Sequence, residues 1–183
     1  MSFRKSRNRT NSLTLRGTEL TIGSGRANDA GAGFDSAVTA EYLQETNGEI
    51  VALYHIDLGV GGIAGNGANK AIGEASGAAY FTRLTPAVNG RVAVIEMFCV
   101  EVPTTGEADI DLYFTTNAAK TKGQATGGTQ AINAGDWTFM GQFAEAELEA
   151  DVTNNYLYLS AGGTGTGTYD AGKYVVRVVG YKF

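Results

Sequence analysis

The sequence predicts an all-β protein: an antiparallel β-sandwich of jelly-roll type with an extended N-terminal arm. Three observations point there. Short apolar or alternating runs recur along the chain, 26 glycines against two prolines punctuate them, and no segment sustains the periodicity of a long helix. At 183 residues and 43% hydrophobic content the chain is long enough to bury a sizeable core without staples. Residues 19–183 are therefore expected to form a single β-sandwich domain, and residues 1–18 a basic extended arm.

Six strands carry the prediction, over residues 49–58, 78–84, 91–102, 109–116, 155–161 and 174–183. In the third, Val92, Val94, Glu96, Phe98, Val100 and Val102 alternate with Ala93, Ile95, Met97 and Cys99, so both faces are mainly apolar. Such a strand lies in the middle of a packed sandwich, or in a sheet whose outer face meets another subunit. The last strand has the same character, with Val175, Val179, Tyr181 and Phe183 opposing Val176 and Val178. The connections 23–33, 59–73, 120–135 and 162–172 are glycine-rich loops of the kind that cluster at the ends of a β body. Segment 142–150, QFAEAELEA, alternates as a strand does but is built from helix formers; it is expected as a strand or a short turn of helix.

Charge divides the chain. Arg4, Lys5, Arg7, Arg9 and Arg16 fall in the first 18 residues with no acid among them, which leaves nine basic residues against all 19 acids in the body. A positive arm on a negative domain favours self-association or docking on another acidic surface, and salt weakens both. Nucleic acid would attract the arm but the acidic body repels it, and only Phe3 is present among the arginines to stack on a base. No amphipathic apolar face supports membrane binding, no run approaches a membrane span, and the basic start lacks the apolar stretch of a secretory signal. The five basic residues are therefore assigned to a protein partner, through ion pairs and strand addition.

Chemical motifs fail on inspection. Gly59, Gly61 and Ala64 match a dinucleotide fingerprint, but the glycines at 65, 67 and 73 make a poor helix N-terminus for pyrophosphate. Residues 167–173, GTYDAGK, have Walker A spacing, yet Tyr174 stands where a magnesium-binding hydroxyl belongs and a strand follows. His55 and Cys99 are single residues of their kind, and Cys99 has the apolar neighbours of a packed thiol, so no catalytic pair, zinc set or internal disulfide is expected. A reducing cytoplasm suits this cysteine content. Asp109 with Asp111, and Glu145, Glu147 and Glu149, share strand faces; they read as solvated faces before calcium or glycosidase carboxylates. Trp137, Tyr156, Tyr158, Tyr169 and Tyr174 are the residues from which a sugar-binding platform would be built. The sequon Asn8-Arg9-Thr10 is treated as chance.

The basic start MSFRKSRNRTNSLTLRG, the run NGRVAVIEMFCVEV at 89–102 and the ending TYDAGKYVVRVVGYKF resemble tailed-bacteriophage virion proteins, of the small β-rich auxiliary or decoration class on capsids. The resemblance implies a non-enzymatic decoration (cement) protein without cofactor or metal. Such a protein forms homo-oligomers, a trimer being favoured, and binds the major capsid protein or another virion protein. Its place is the capsid surface, after assembly in the host cytoplasm. The chain departs from a shell-forming major capsid protein in being short and lacking that protein's long helix. The competing expectation is a carbohydrate- or receptor-binding β-sandwich at a tail or fibre.

Overall fold

A computed structural model describes residues 11–15, 18–22 and 29–182. Its strands are β1 (Asn11–Leu15), β2 (Thr18–Ile22), β3 (Val38–Thr46), β4 (Glu49–Asp57), β5 (Ala64–Asn66), β6 (Lys70–Ala71) and β7 (Tyr80–Arg83) in the first half. The second half adds β8 (Arg91–Thr104), β9 (Ile110–Thr115), β10 (Thr129–Ile132), β11 (Phe143–Glu147), β12 (Tyr156–Ala161), β13 (Thr166–Thr168) and β14 (Ala171–Tyr181). Among the described residues the only helical turns are Asp35–Ala37 and α1 (Pro86–Asn89). The protein is all-β, and all the pairings are antiparallel.

One sheet runs β11-β8-β14-β4-β3; in the other, β10-β9-β12, the far edge of β12 is shared between β6 and β7. The sheets face each other across one core, giving a sandwich-like body. Ile95, Met97 and Cys99 of β8, Tyr174, Val176 and Val178 of β14, and Tyr54 and Ile56 of β4 meet Phe81, Ile110, Leu112, Leu157 and Leu159 from the opposite sheet. Strict alternation explains the split, since every second residue of β4 from Ile50 to Ile56 is buried while those between are half-exposed. Trp137 enters the same core, its indole edge-on to Tyr174 at 5.3 Å and its Nε1–H donating to the Ile110 carbonyl at 2.8 Å.

All six predicted strands are present, and segment 142–150 holds the strand β11. The alternation predicted for 91–102 slips once. A bulge where β8 passes Val179 and Gly180 brings Val92 to the buried set in place of Ala93. At that point Gly180 passes under α1, and a Cβ there would lie 1.9 Å from the Asn89 carbonyl oxygen. The structure adds β3, joined to β4 by Asn47 and Gly48 at φ 53° and 82°, a two-residue hairpin turn needing two left-handed residues. It also finds short strands inside three of the expected loops: β5 and β6 in 59–73, β10 in 120–135 and β13 in 162–172. The hairpin β1–β2 straddles position 18, and β2 lies against β3.

Candidate functional site

The outward residues of β11, β8, β14 and β4 form three rows across the first sheet. Register sets Phe143, Phe98, Val175 and His55 side by side, then Glu145, Glu96, Arg177 and Leu53, then Glu147, Val94, Val179 and Val51. Aliphatic and aromatic side chains thus occupy most of a face that a monomeric sandwich would normally cover with polar residues. Phe98, Val94, Val175, Val51 and Leu53 are half-buried on this face, Val179 is buried, and β2 contacts its β3 edge strand. The charges of its middle row are Glu145, Glu96 and Arg177, the last two paired at 2.5 Å.

The exposed end of this face is its corner at β11. Phe139 and Met140 stand 59% and 71% exposed in the turn before β11, with Val100 and Phe143 beside them at 49% and 45%. Phe143 packs its ring on Phe98 at 4.8 Å, and the turn is fastened to β8 because Gly141 N–H donates to the Cys99 carbonyl at 2.7 Å. These apolar groups are therefore held in place by the ladder. Two depressions flank the face. One of about 380 Å³ is lined by Thr39, His55, Val100, Lys173 and Val175, and one of about 200 Å³ by Arg91, Ala93, Leu148 and Tyr181. At the rim of the larger, Lys173 bonds Glu101 at 2.6 Å and lies 3.8 Å from Asp57. Its ammonium is held above its ordinary pKa by the Glu101 bond first and Asp57 second.

The residues proposed for chemistry are scattered. Cys99 opposes the inward Tyr174 while His55 opposes the outward Val175, so thiol and imidazole project from opposite sides of one sheet and cannot form a pair. Burial also raises the Cys99 thiol pKa, which disfavours the thiolate. Gly59 and Gly61 lie in a turn and Ala64 opens β5, with no helix to receive a phosphate. Gly167 and Thr168 belong to β13, and Gly172 and Lys173 to the extended β14. Asp109 and Asp111 do neighbour each other. Burial first, and the Asp109 charge second, push the Asp111 carboxyl up to about 6, and one oxygen of each carboxylate has no hydrogen-bond partner in the described structure. Among the described residues no group of three His, Cys, Asp or Glu is placed to hold a metal ion.

The aromatic platform does not assemble. Trp137, Tyr158, Tyr169 and Tyr174 are each no more than 2% exposed and serve as core. Only Tyr156 keeps partial exposure, packed edge-on against Tyr80 at 4.7 Å beneath the Arg83 guanidinium. Arg4, Lys5, Arg7, Arg9 and Arg16, and the sequon, lie outside the described residues. Phe139 and Met140, which the sequence reading leaves aside, are the most exposed large apolar residues of the described chain. Their signal is the apolar cluster Trp137, Phe139 and Met140 set in a loop between Asp136 and Gly141. No helix of the described chain is long and apolar enough to cross a membrane. The chain matches no protein-family model, no curated protein and no solved structure.

Proposed function

We propose that this is a non-enzymatic structural protein of a tailed-phage virion, a capsid decoration protein that binds and stabilises the major capsid lattice at the capsid surface. The observation that carries the proposal is the apolar outer face of the β11-β8-β14-β4-β3 sheet. Three rows across four strands span a footprint of roughly 300–400 Å², half-buried along most of its length and open at the corner of Phe139, Met140, Phe143 and Val100, and a contiguous apolar surface of that size marks a contact surface. A stable interface buries about 800 Å² on each partner, so the face alone is half a contact. The basic arm supplies the other half in this reading, through Arg4, Lys5, Arg7, Arg9 and Arg16.

The strand order supports a jelly-roll fold. Counting β4, β6 with β7, β8, β9, β10, β11, β12 and β14 as strands one to eight, one sheet reads one-eight-three-six and the other two-seven-four-five. Two interleaved Greek keys produce that order, an architecture used by viral capsid domains and by lectins. The fold alone does not choose between those uses. The buried aromatics favour the first, because a lectin-like site built on Trp137 and its neighbouring tyrosines would need them at the surface.

Co-sedimentation tests the function. The protein should bind assembled shells in many copies, raise their resistance to heat and ignore dissociated shell subunits, since stabilisation by mass action requires preference for the assembled state. Equal binding to free subunits, or none to shells, would refute a decoration role. Removal of residues 2–16 should lower occupancy while leaving the body folded.

A further inference from the structure

Building on this docking role, we infer that the free edge of β11 in one copy accepts the basic arm of another copy as an added parallel strand. In that register Lys5, Arg7 and Arg9 oppose Glu145, Glu147 and Glu149. β11 ends its sheet: its ladder runs to β8 alone, which leaves the backbone groups of its other edge unpaired among the described residues. Glu145, Glu147 and Glu149 are exposed, and none has an ion-pair partner in the described structure. In the central row Glu145 directly faces Glu96, whose single cation Arg177 lies on the far side. The row thus holds two acids and one cation, which pairs with Glu96 alone, and like charges placed opposite each other oppose pairing, so the row is short of one positive charge.

The arm carries the matching period. In an extended chain Phe3, Lys5, Arg7 and Arg9 fall on one side, as Phe143, Glu145, Glu147 and Glu149 do along and just beyond β11. Arg7 meets Glu147 whichever way the strand runs. Only the parallel direction also sets Phe3 beside Phe143 and its stacked neighbour Phe98, which selects that direction. A second β11 is a poor occupant of the same edge because it would set acid against acid.

Reach favours a second copy over the chain's own arm. The β1–β2 hairpin lies against β3, the opposite edge of the sheet, four strand spacings or about 19 Å from β11. Arg9 is two residues from the start of β1 at Asn11, a span of at most about 7 Å. The donor in this inference is another copy. Arm to edge is a head-to-tail contact, which closes into a ring when the rotation allows, and a trimer is the smallest such ring in which all contacts are equivalent but not two-fold.

Charge reversal in the full-length protein tests this. Lys5→Glu with Arg7→Glu and Arg9→Glu, and separately Glu145→Lys with Glu147→Lys and Glu149→Lys, should each weaken self-association about tenfold or more by light scattering at low salt. The chain carrying all six reversals should regain it. As a readout insensitive to charge, Arg7→Cys combined with Glu147→Cys should form disulfides between chains under mild oxidation, while Arg7→Cys with Glu49→Cys should not. Unchanged mass in the single-side reversals, failure of the six-fold variant to recover while its unfolding midpoint matches wild type, or no selective crosslink would overturn the inference. So would a wild type that stays monomeric, although shell binding by that monomer would leave the decoration role intact.

Discussion

The two outer faces of the sandwich solve the same problem in opposite ways. On the β10-β9-β12 sheet the outward side chains Asp111, Tyr113, Tyr158 and Ser160 are all buried, and only Thr115 and Tyr156 at the end of the β9–β12 pair are half-exposed. The loop that leaves β9 crosses over β12 and bonds to the far edge before returning to β10, with Ala79 N–H donating to the Lys120 carbonyl at 2.8 Å and Ala71 N–H to that of Gln124 at 2.9 Å. It supplies a polar partner as it crosses, the Asn117 carbonyl that accepts from the Tyr158 hydroxyl at 2.7 Å, while Tyr113 donates to Asn69, in the turn between β5 and β6, at 2.6 Å. The opposite face carries mainly aliphatic and aromatic rows, its central polar groups being Glu96 and Arg177, which pair with each other. A face closed within the chain is built from amphipathic residues that a loop can cap; a face made of Val, Leu and Phe suits a partner that brings its own apolar surface.

If the covered face contributes to folding and the open one to contact, substitutions should separate them. The largest effect belongs to Tyr158→Ala, which removes a fully buried ring and its hydrogen bond and should cost about 3–5 kcal/mol in urea unfolding. Asp111→Asn comes next, with the opposite sign. The folded carboxyl titrates at about 6, above the ~3.9 of an unfolded chain, so the folded state holds the proton more tightly. The contribution of Asp111 to stability should therefore be fully present below pH 4, decline as pH rises through 6 and level off above. The Asn variant should lack that slope and gain about 2 kcal/mol at pH 7. Equal pH slopes in both proteins would show that Asp111 is not the titrating group.

On the open face the expected effects on stability are smaller. Arg177→Met leaves Glu96 and Glu145 opposed without a cation and should cost about 1 kcal/mol, recovered in part when Glu96 is also made Gln. Phe143→Ala should move the monomer's unfolding by no more than about 1 kcal/mol while weakening docking on shells about tenfold or more. A loss of several kcal/mol there would mean that Phe143 belongs to the core and the contrast between the faces is false.

Much of this was legible beforehand, and what was not has physical reasons. The doubly apolar β8 and β14 announced a sheet with something to bury on both sides, because period two assigns faces without knowledge of neighbours. β3 was legible in principle through Asn47-Gly48, the strongest hairpin signal in the chain, yet it escapes a scan that follows apolar runs. β5, β6 and β13 were not legible, since strands of two or three residues that include Gly65 and Gly167 exist through backbone pairing alone. Tyr158 misled because a hydroxyl makes a side chain look destined for solvent until a loop carbonyl such as that of Asn117 receives it. Phe139 and Met140 were missed for the reverse reason, being apolar residues in a turn that looked like ordinary connection.

The central claim is that the β11-β8-β14-β4-β3 face is where partners dock, and side-chain footprinting by hydroxyl radicals reads it directly. Oxidation should be compared between the free protein and the same protein bound to shells. The account predicts that Met140, Phe139 and Phe143 lose most of their reactivity on binding while Tyr80 and Tyr156, on the other sheet, keep theirs. Protection of Tyr80 and Tyr156 with Met140 still freely oxidised would contradict it.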